Sequence, residues 1–247
     1  MLEEMVVELN QSRAERRKAR TVGAIQEAAK EKFLARGYHG VTVEEIAAAA
    51  DVSVGSIYVH FGNKEGLYVA LLEEAISLEE SYVAPSFDAS LPLASLAEAY
   101  LRFYLDHPGC FRMLNFPAFV YSPGDGNSAA AVALAERAQQ QIDRLAEVIQ
   151  RRVDLGVLRP MDAHRMAEFF WGAFTGVISL NMRTDRLRLA TEELFAVLAE
   201  GQRLLSEGII SEAMRHPDGS PSLERILALE AAPAAPPPVA VAVEATA

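Results

Sequence analysis

Two short apolar patterns, one directly behind the other, organise residues 42–64. Val43, Ile46, Ala47 and Ala50 fall at i, i+3, i+4 and i+7, the spacing of a single buried helix face. Thr42 stands where an N-cap belongs, and Glu45, three residues on, completes a capping box. The second pattern is shorter. Ser53 caps it, and Ile57 and Phe61, four residues apart, form its buried face. Asp51 and Val52 make the turn between the two helices, and the alanines of the first are small enough to let the helices cross closely. This register leaves Val54, Gly55, Ser56, Tyr58, Val59 and His60 on or near the free surface of the second helix. Asn63 then caps a third and longer helix that runs to about Tyr82 and buries Leu67, Leu71, Ala75 and Leu78. At 1.5 Å per residue it is roughly 30 Å long, so it leaves the first bundle and enters the next layer.

The rest of the chain keeps the helical period. A first helix is predicted over residues 21–35, with Val22, Ile25, Ala29 and Phe33 inward and Gly37 as its C-cap. Further helices are predicted over 93–106, 109–115, 128–155, from the Asp162 cap to about 186, and over 191–208, with a short one after Pro221. Residues 85–92 and 117–126 read as loops. The Pro/Ala-rich end is low in complexity and is expected to be disordered. No alternating strand pattern and no internal repeat is present, so the expected fold class is all-α. The expected organisation is a flexible leader (1–14), a three-helix helix-turn-helix domain (15–66), a larger helical domain (67–215) and a disordered tail (216–247).

Composition narrows the function classes. The chain has 247 residues, 51% of them hydrophobic, enough for a sizeable core. The longest apolar run, residues 169–180, contains Ser, Thr and two Gly and is too short to span a bilayer. The acidic N-terminal residues lack the positive-then-apolar order of a secretion signal. Cys110 is the only cysteine, which excludes an intrachain disulfide and a cysteine metal cluster. A cytoplasmic protein with no membrane partner is the expectation. The net charge of −11 looks unsuited to nucleic acid, but its distribution is not. Residues 12–66 carry nine Lys/Arg against seven Asp/Glu, and residues 67–247 carry fourteen against twenty-four. Arg13, Arg16, Arg17, Lys18 and Arg20 cluster just ahead of the first helix. Only the local field matters within a Debye length of about 8–10 Å, and an acidic bulk repels DNA from every face but one.

Small and hydrogen-bonding side chains at the start of an exposed helix suit close approach to phosphates and base edges. Together, Phe33, Gly37, Thr42, Ile46, Ala47, Ala50, Val52, Ser53, Gly55, Tyr58, His60, Phe61, Lys64 and Leu67 make a specific signal. In the order A-x-x-x-V-S-x-G-x-x-Y-x-H-F-x-x-K-x-x-L, this stretch resembles the TetR family of bacterial transcriptional regulators. The resemblance covers roughly residues 15–75. It departs at Asp51, where the family often has Gly; the turn there calls for a left-handed backbone, which Asp tolerates better than most residues. The resemblance implies double-stranded operator DNA as partner. Tyr58, His60, Lys64 and Thr42 would contact phosphates, with Arg17 and Arg20 beside them. Val54, Ser56 and Val59 would be left for the base edges, the valines reading thymine methyls, with Gly55 letting the backbone come close and the cap Ser53 in the same DNA-binding surface.

The resemblance also implies a homodimer and a pocket for a small effector. Tyr100, Phe103, Tyr104, Phe111, Met113, Phe116, Phe119 and Trp171 are the candidate lining residues, in a region rich in aromatics for a chain with 8% overall. Ordinary core packing is the competing account of most of them. The predicted helix beginning at Ala163 is apolar around most of its circumference. With the helix after it, it is the candidate dimer face, through Phe170, Gly172, Phe174, Gly176, Leu198 and Leu205. Gly124, Gly126 and Ala129 match a dinucleotide fingerprint, but no βαβ unit surrounds them. Zinc-protease, esterase and phosphate-loop motifs are absent. The expectation is therefore a regulator rather than an enzyme, with no cofactor and no metal. A helical ligand-binding dimer that no longer engages DNA is the alternative.

Overall fold

The computed structural model describes residues 2–88, 93–116 and 129–230, with side chains from Glu15 in the first helix and from Val132 in the seventh. Among the described residues the chain forms ten α-helices: α1 (Leu2–Arg36), α2 (Val43–Ala49), α3 (Val54–Phe61), α4 (Lys64–Val83), α5 (Leu93–Asp106), α6 (Pro108–Asn115), α7 (Ala129–Asp154), α8 (Ala163–Asn181), α9 (Thr191–Ile209) and α10 (Leu223–Glu230). The only β pairing among them is two isolated bridges, so the fold is all-α.

Three hydrophobic cores lie along the molecule. The first joins Ile25, Ala29 and Phe33 of α1 to Ile46, Ile57, Leu67, Tyr68, Leu71 and Leu72, and recruits Met113 from α6 and Leu134 from α7. The second joins Ala75 of α4 to Phe103, Tyr104, Cys110, Phe111, Ile178, Leu194 and Leu198. The third gathers Ile149, Val157, Leu158, Ala163, Ala167 and Ile209, with Ile226 and Leu229 of α10 against it. The expected domain boundary at 66/67 therefore falls within the first turn of α4. The next six residues of that helix still belong mostly to the N-terminal core.

Capping and turn chemistry follows the sequence closely. The Thr42 hydroxyl accepts from the Glu45 N–H at 3.3 Å, and the Thr42 N–H donates to Glu45 Oε2 at 2.9 Å. Asp51 has φ of 54°, the one positive-φ non-glycine among the described residues. Val52 N–H reaches Ala47 O at 3.0 Å and Asp51 N–H reaches Ala48 O at 3.4 Å, a Schellman closure of α2. Gly66 allows the sharp entry into α4, because a Cβ there would stand 2.1 Å from the Phe61 carbonyl oxygen.

Two helix boundaries differ from expectation. α1 begins at Leu2, not near residue 21, and takes in the stretch expected as a flexible leader. No Gly or Pro before Gly23 interrupts it, and Leu, Glu, Ala, Arg and Lys favour helix. α8 stops at Asn181, not near 186. Asp185 there takes an Arg183 bridge and the Leu187 N–H at 3.1 Å, a local competitor to helix. Residues 216–230, assigned to the tail, fold: the short helix expected after Pro221 is α10, held by Arg152 Nε donating to Glu230 Oε1 at 2.7 Å, both side chains buried. Residues 231–247 lie outside the described residues.

Gly66→Ala should lower stability by about 1–3 kcal/mol, the usual cost of forcing an atom into filled space. Gly23→Ala has open space around it and should raise stability by roughly 0.5–1 kcal/mol by removing a mid-helix glycine. Thermal melts of the two variants check the pair.

Candidate nucleic-acid interface and internal cavity

α3 is short, and its outward face follows from its register. Ile57 is fully buried, whereas Val59 is 82% exposed and Tyr58 49% exposed. Gly55 is exposed, and Val54, Ser56 and His60 are half-buried around it. Arg17 and Arg20 are exposed on α1. α3 thus presents a glycine, a hydroxyl, a phenol, an imidazole and a valine to solvent from two turns of helix.

Several of the polar candidates already have structural work. Ser53 Oγ accepts from Ser56 N–H at 3.2 Å, and the two hydroxyls lie 2.9 Å apart, so the pair caps α3. Thr42 is the α2 cap. Lys64 is engaged as well. Its Nζ donates to Val41 O at 2.8 Å and sits 4.3 Å from the Tyr38 ring centroid, and burial lowers its pKa. It ties the start of α4 to the α1–α2 connection. Arg36 bonds Glu45 Oε2 at 2.6 Å, and that bond, with the Thr42 N–H, holds the Glu45 carboxyl down at about 2. Its stabilising effect is present above the ordinary carboxylate range and is lost as pH falls towards that value.

A cavity of about 120 Å³ lies between α4, α5, α7, α8 and α9. Its apolar wall includes Val83, Leu96, Ile142, Leu145, Phe170 and Phe174; its polar wall includes Glu79, Tyr100, Gln141 and Trp171. Two of the aromatic candidates, Tyr100 and Trp171, line it. Phe103, Tyr104 and Phe111 do not: they are buried in the second core, with Phe116 packed against them. Met113 belongs to the core of the N-terminal bundle. α5 and α6 turn these side chains towards α4 and α1, so dense packing accounts for them. Phe119 lies outside the described residues, as do Gly124 and Gly126.

The expected dimer face also divides. Gly172 and Gly176 are exposed, with open space where a Cβ would be. Phe170 and Phe174 turn into the cavity, Leu198 is buried in the second core, and Leu205 is half-buried. Phe169, Phe195, Val197 and Leu204 are large apolar residues left exposed on α8 and α9, between 42% and 55%.

Sequence reasoning missed Glu79 and Arg137. They form a buried ion pair, Nη2 to Oε2 at 3.1 Å, behind the cavity wall. Burial pushes the Glu79 carboxyl up, against the opposing pull of the Arg137 charge. One signal was available: Glu79 continues the inward row Leu67, Leu71, Ala75 at four-residue steps, a charge where an apolar residue belongs.

The fold and this surface define a helix-turn-helix DNA-binding protein carrying a helical domain with an internal cavity. The comparisons agree. Residues 25–71 match the model of bacterial regulatory proteins of the tetR family, and residues 93–201 match the tetracyclin repressor-like C-terminal domain. The chain is 28% identical over 185 residues to the HTH-type transcriptional repressor DhaR of Mycobacterium sp. (strain GP1), spanning 73% of this chain and 91% of that one. It shares its fold with the fatty acid degradation regulator FadR of Bacillus halodurans, at a TM-score of 0.61, 20% identity and coverage of 75% and 98%. It does so too with AibR, solved in complex with isovaleryl coenzyme A and operator DNA, at 0.53, 21%, and 74% and 95%. The chain belongs to the TetR family and is a DNA-binding transcriptional regulator. No helix among the described residues is long and apolar enough to cross a membrane.

Val59→Ala should leave the melting midpoint unchanged and alter base preference at one or two positions. Lys64→Ala should lower the midpoint by roughly 3–6 °C, losing a charged hydrogen bond and a cation–π contact. It should also weaken binding to all sequences alike. Melts and binding to a randomised DNA pool separate the two.

Proposed function

We propose that this chain acts in the cytoplasm as a homodimeric repressor, not an enzyme, and is released from its operator by a small, largely apolar molecule held in the cavity. One observation carries the reading. α4 packs Leu67, Tyr68, Leu71 and Leu72 into the bundle that presents α3, and lines the cavity with Glu79 and Val83 about a turn from its other end. A ligand that fits better when α4 is tilted would move α3 with it. Two α3 helices must lie about 34 Å apart to enter successive major grooves, so a change in tilt is felt at the DNA. The leverage is limited to the ligand's differential affinity for the two arrangements, typically 1–3 kcal/mol.

Pairing through α8 and α9 is supported by the exposed apolar residues there and by Gly172 and Gly176, one turn apart, which permit a close helix crossing. Repression is supported by the relative DhaR, named a repressor. Binding of operator and of an acyl coenzyme A by AibR supports an effector site in the helical domain. The domain division follows the same logic: residues up to 66, together with the first turns of α4, serve DNA, and residues 67–215 serve the ligand and the partner.

With about four phosphate contacts per subunit, log K should fall against log salt with a slope near −7; titration of operator binding at several salt concentrations measures it. Gly176→Arg should give monomers with weak operator binding, read by sedimentation and gel shift. A dimer that survives the substitution would reject the α8 face.

A further inference from the structure

The cavity wall says more about its ligand than that it is apolar, on the reading that this cavity is the effector site. Among the described residues, Glu79 is the only charged one lining it. Its charge is already matched by Arg137, whose Nε and Nη1 are buried with no other partner among the described residues. Four residues on from Arg137, and so on the same face of α7, stands Gln141. Gln141 lines the cavity with its side-chain nitrogen and oxygen buried; its amide faces the Glu79 carboxylate and helps to hold that charge, but neither atom has a partner at normal hydrogen-bond length. The Tyr100 hydroxyl is already used, donating to Asn115 Oδ1 at 3.0 Å and lying 3.2 Å from Thr175 Oγ1. The unspent hydrogen-bonding capacity buried in this wall is therefore one amide edge, a donor beside an acceptor; Gln202 and Ser206 of α9 also line the cavity but are only half-buried.

We propose that the effector is an uncharged apolar molecule ending in a carboxamide or lactam edge, and that Gln141 pairs with it through two antiparallel hydrogen bonds. The alternatives are each disfavoured by a named group. A carboxylate would meet Glu79, with no Lys or Arg among the described residues of the wall to receive it. An ammonium would compete with Arg137 for Glu79 and leave a net positive charge inside. A hydrocarbon leaves both Gln141 atoms unpaired, and an alcohol satisfies one at a time. An amide edge satisfies both, whichever way the Gln141 amide is turned. The volume of about 120 Å³ is somewhat below the roughly 150 Å³ that accommodates benzene, which suits an apolar tail of about five or six carbons.

Trp171 makes the test direct. It is the chain's single tryptophan and it lines the cavity, so its emission reports occupancy without reference to DNA. The intact protein is titrated with hexanamide, hexanoate, hexylammonium and hexan-1-ol. Hexanamide should saturate the emission change with a Kd at least about tenfold below the other three. Gln141→Met, similar in length, should remove that advantage and leave hexan-1-ol binding within about threefold, with an unchanged melting curve. Tightest binding by hexanoate or hexylammonium, equal binding by all four, or no saturable change would each overturn the proposal. The comparison among ligands on the unmodified protein stands even if the variant folds poorly. Release of DNA selected from a random pool is measured in parallel. Hexanamide that fills the cavity without releasing DNA rejects the effector reading but upholds the ligand class. A charged compound that both fills and releases does the reverse.

Discussion

The structure depends on one continuous helix belonging to two cores. The first two turns of α4 are buried against α1, α2 and α3, and Ala75, one turn further, is buried against α5, α6, α8 and α9. Apolar area withdrawn from water at both ends, at about 25 cal/mol per Å², means that neither end can rotate without opening a core. α6 reinforces the joint. Gly109 brings it so close to α1 that a Cβ would stand 2.8 Å from Leu34 Cδ1, and Met113 enters the N-terminal core. Close-packed interiors transmit displacement in steps rather than absorbing it, so the two halves respond together.

Against that rigid frame, the outward face of α3 mixes small groups, Gly55 and Ser56, with the exposed Tyr58 and Val59. The hydroxyls around it serve first as caps: Thr42 for α2, Ser53 with Ser56 for α3. Each cap satisfies an orphan N–H at a helix start and is worth about 1 kcal/mol. The helix N-termini, with their partial positive charge, are thereby fixed on the outer side of the bundle. The basic residues Arg13, Arg16, Arg17, Lys18 and Arg20 cluster near the N-terminal end of an acidic chain, and most of the acidic residues lie beyond residue 66.

The helical domain uses charge differently. Two ion pairs, Glu79–Arg137 and Arg152–Glu230, are buried. Removing one partner of such a pair typically costs 3–5 kcal/mol, because the other charge is left without compensation. They join segments far apart in the chain: α4 to α7, and α7 to α10. Arg152 and Glu230 also line a second chamber of about 230 Å³, which shares Gln202, Ser206 and Ile209 with the first cavity. The walls of this domain are thus pinned by polar contacts at places where apolar packing is interrupted.

Local physics made the N-terminal half legible. The capping box, the left-handed Asp51 and the burial of Ile57 all follow from interactions within a few residues, so periodicity and turn chemistry were sufficient there. The family resemblance rests on those same residues. Where tertiary partners decide, the sequence was ambiguous. An aromatic such as Phe111 or Phe174 suits a core or a cavity wall equally well, because burial rewards area and not location. Lys64 reads as a free cation until the Val41 carbonyl and the Tyr38 ring are placed beside it. Glu79 and Arg137 are 58 positions apart, and no local pattern pairs them. By itself, then, the chain determined its all-α class, its helix-turn-helix and the face α3 presents, because those depend on neighbours in sequence. Which side chains enclose the cavity, and which charges meet behind its wall, only tertiary structure decided, because contacts between distant helices depend on how whole faces pack.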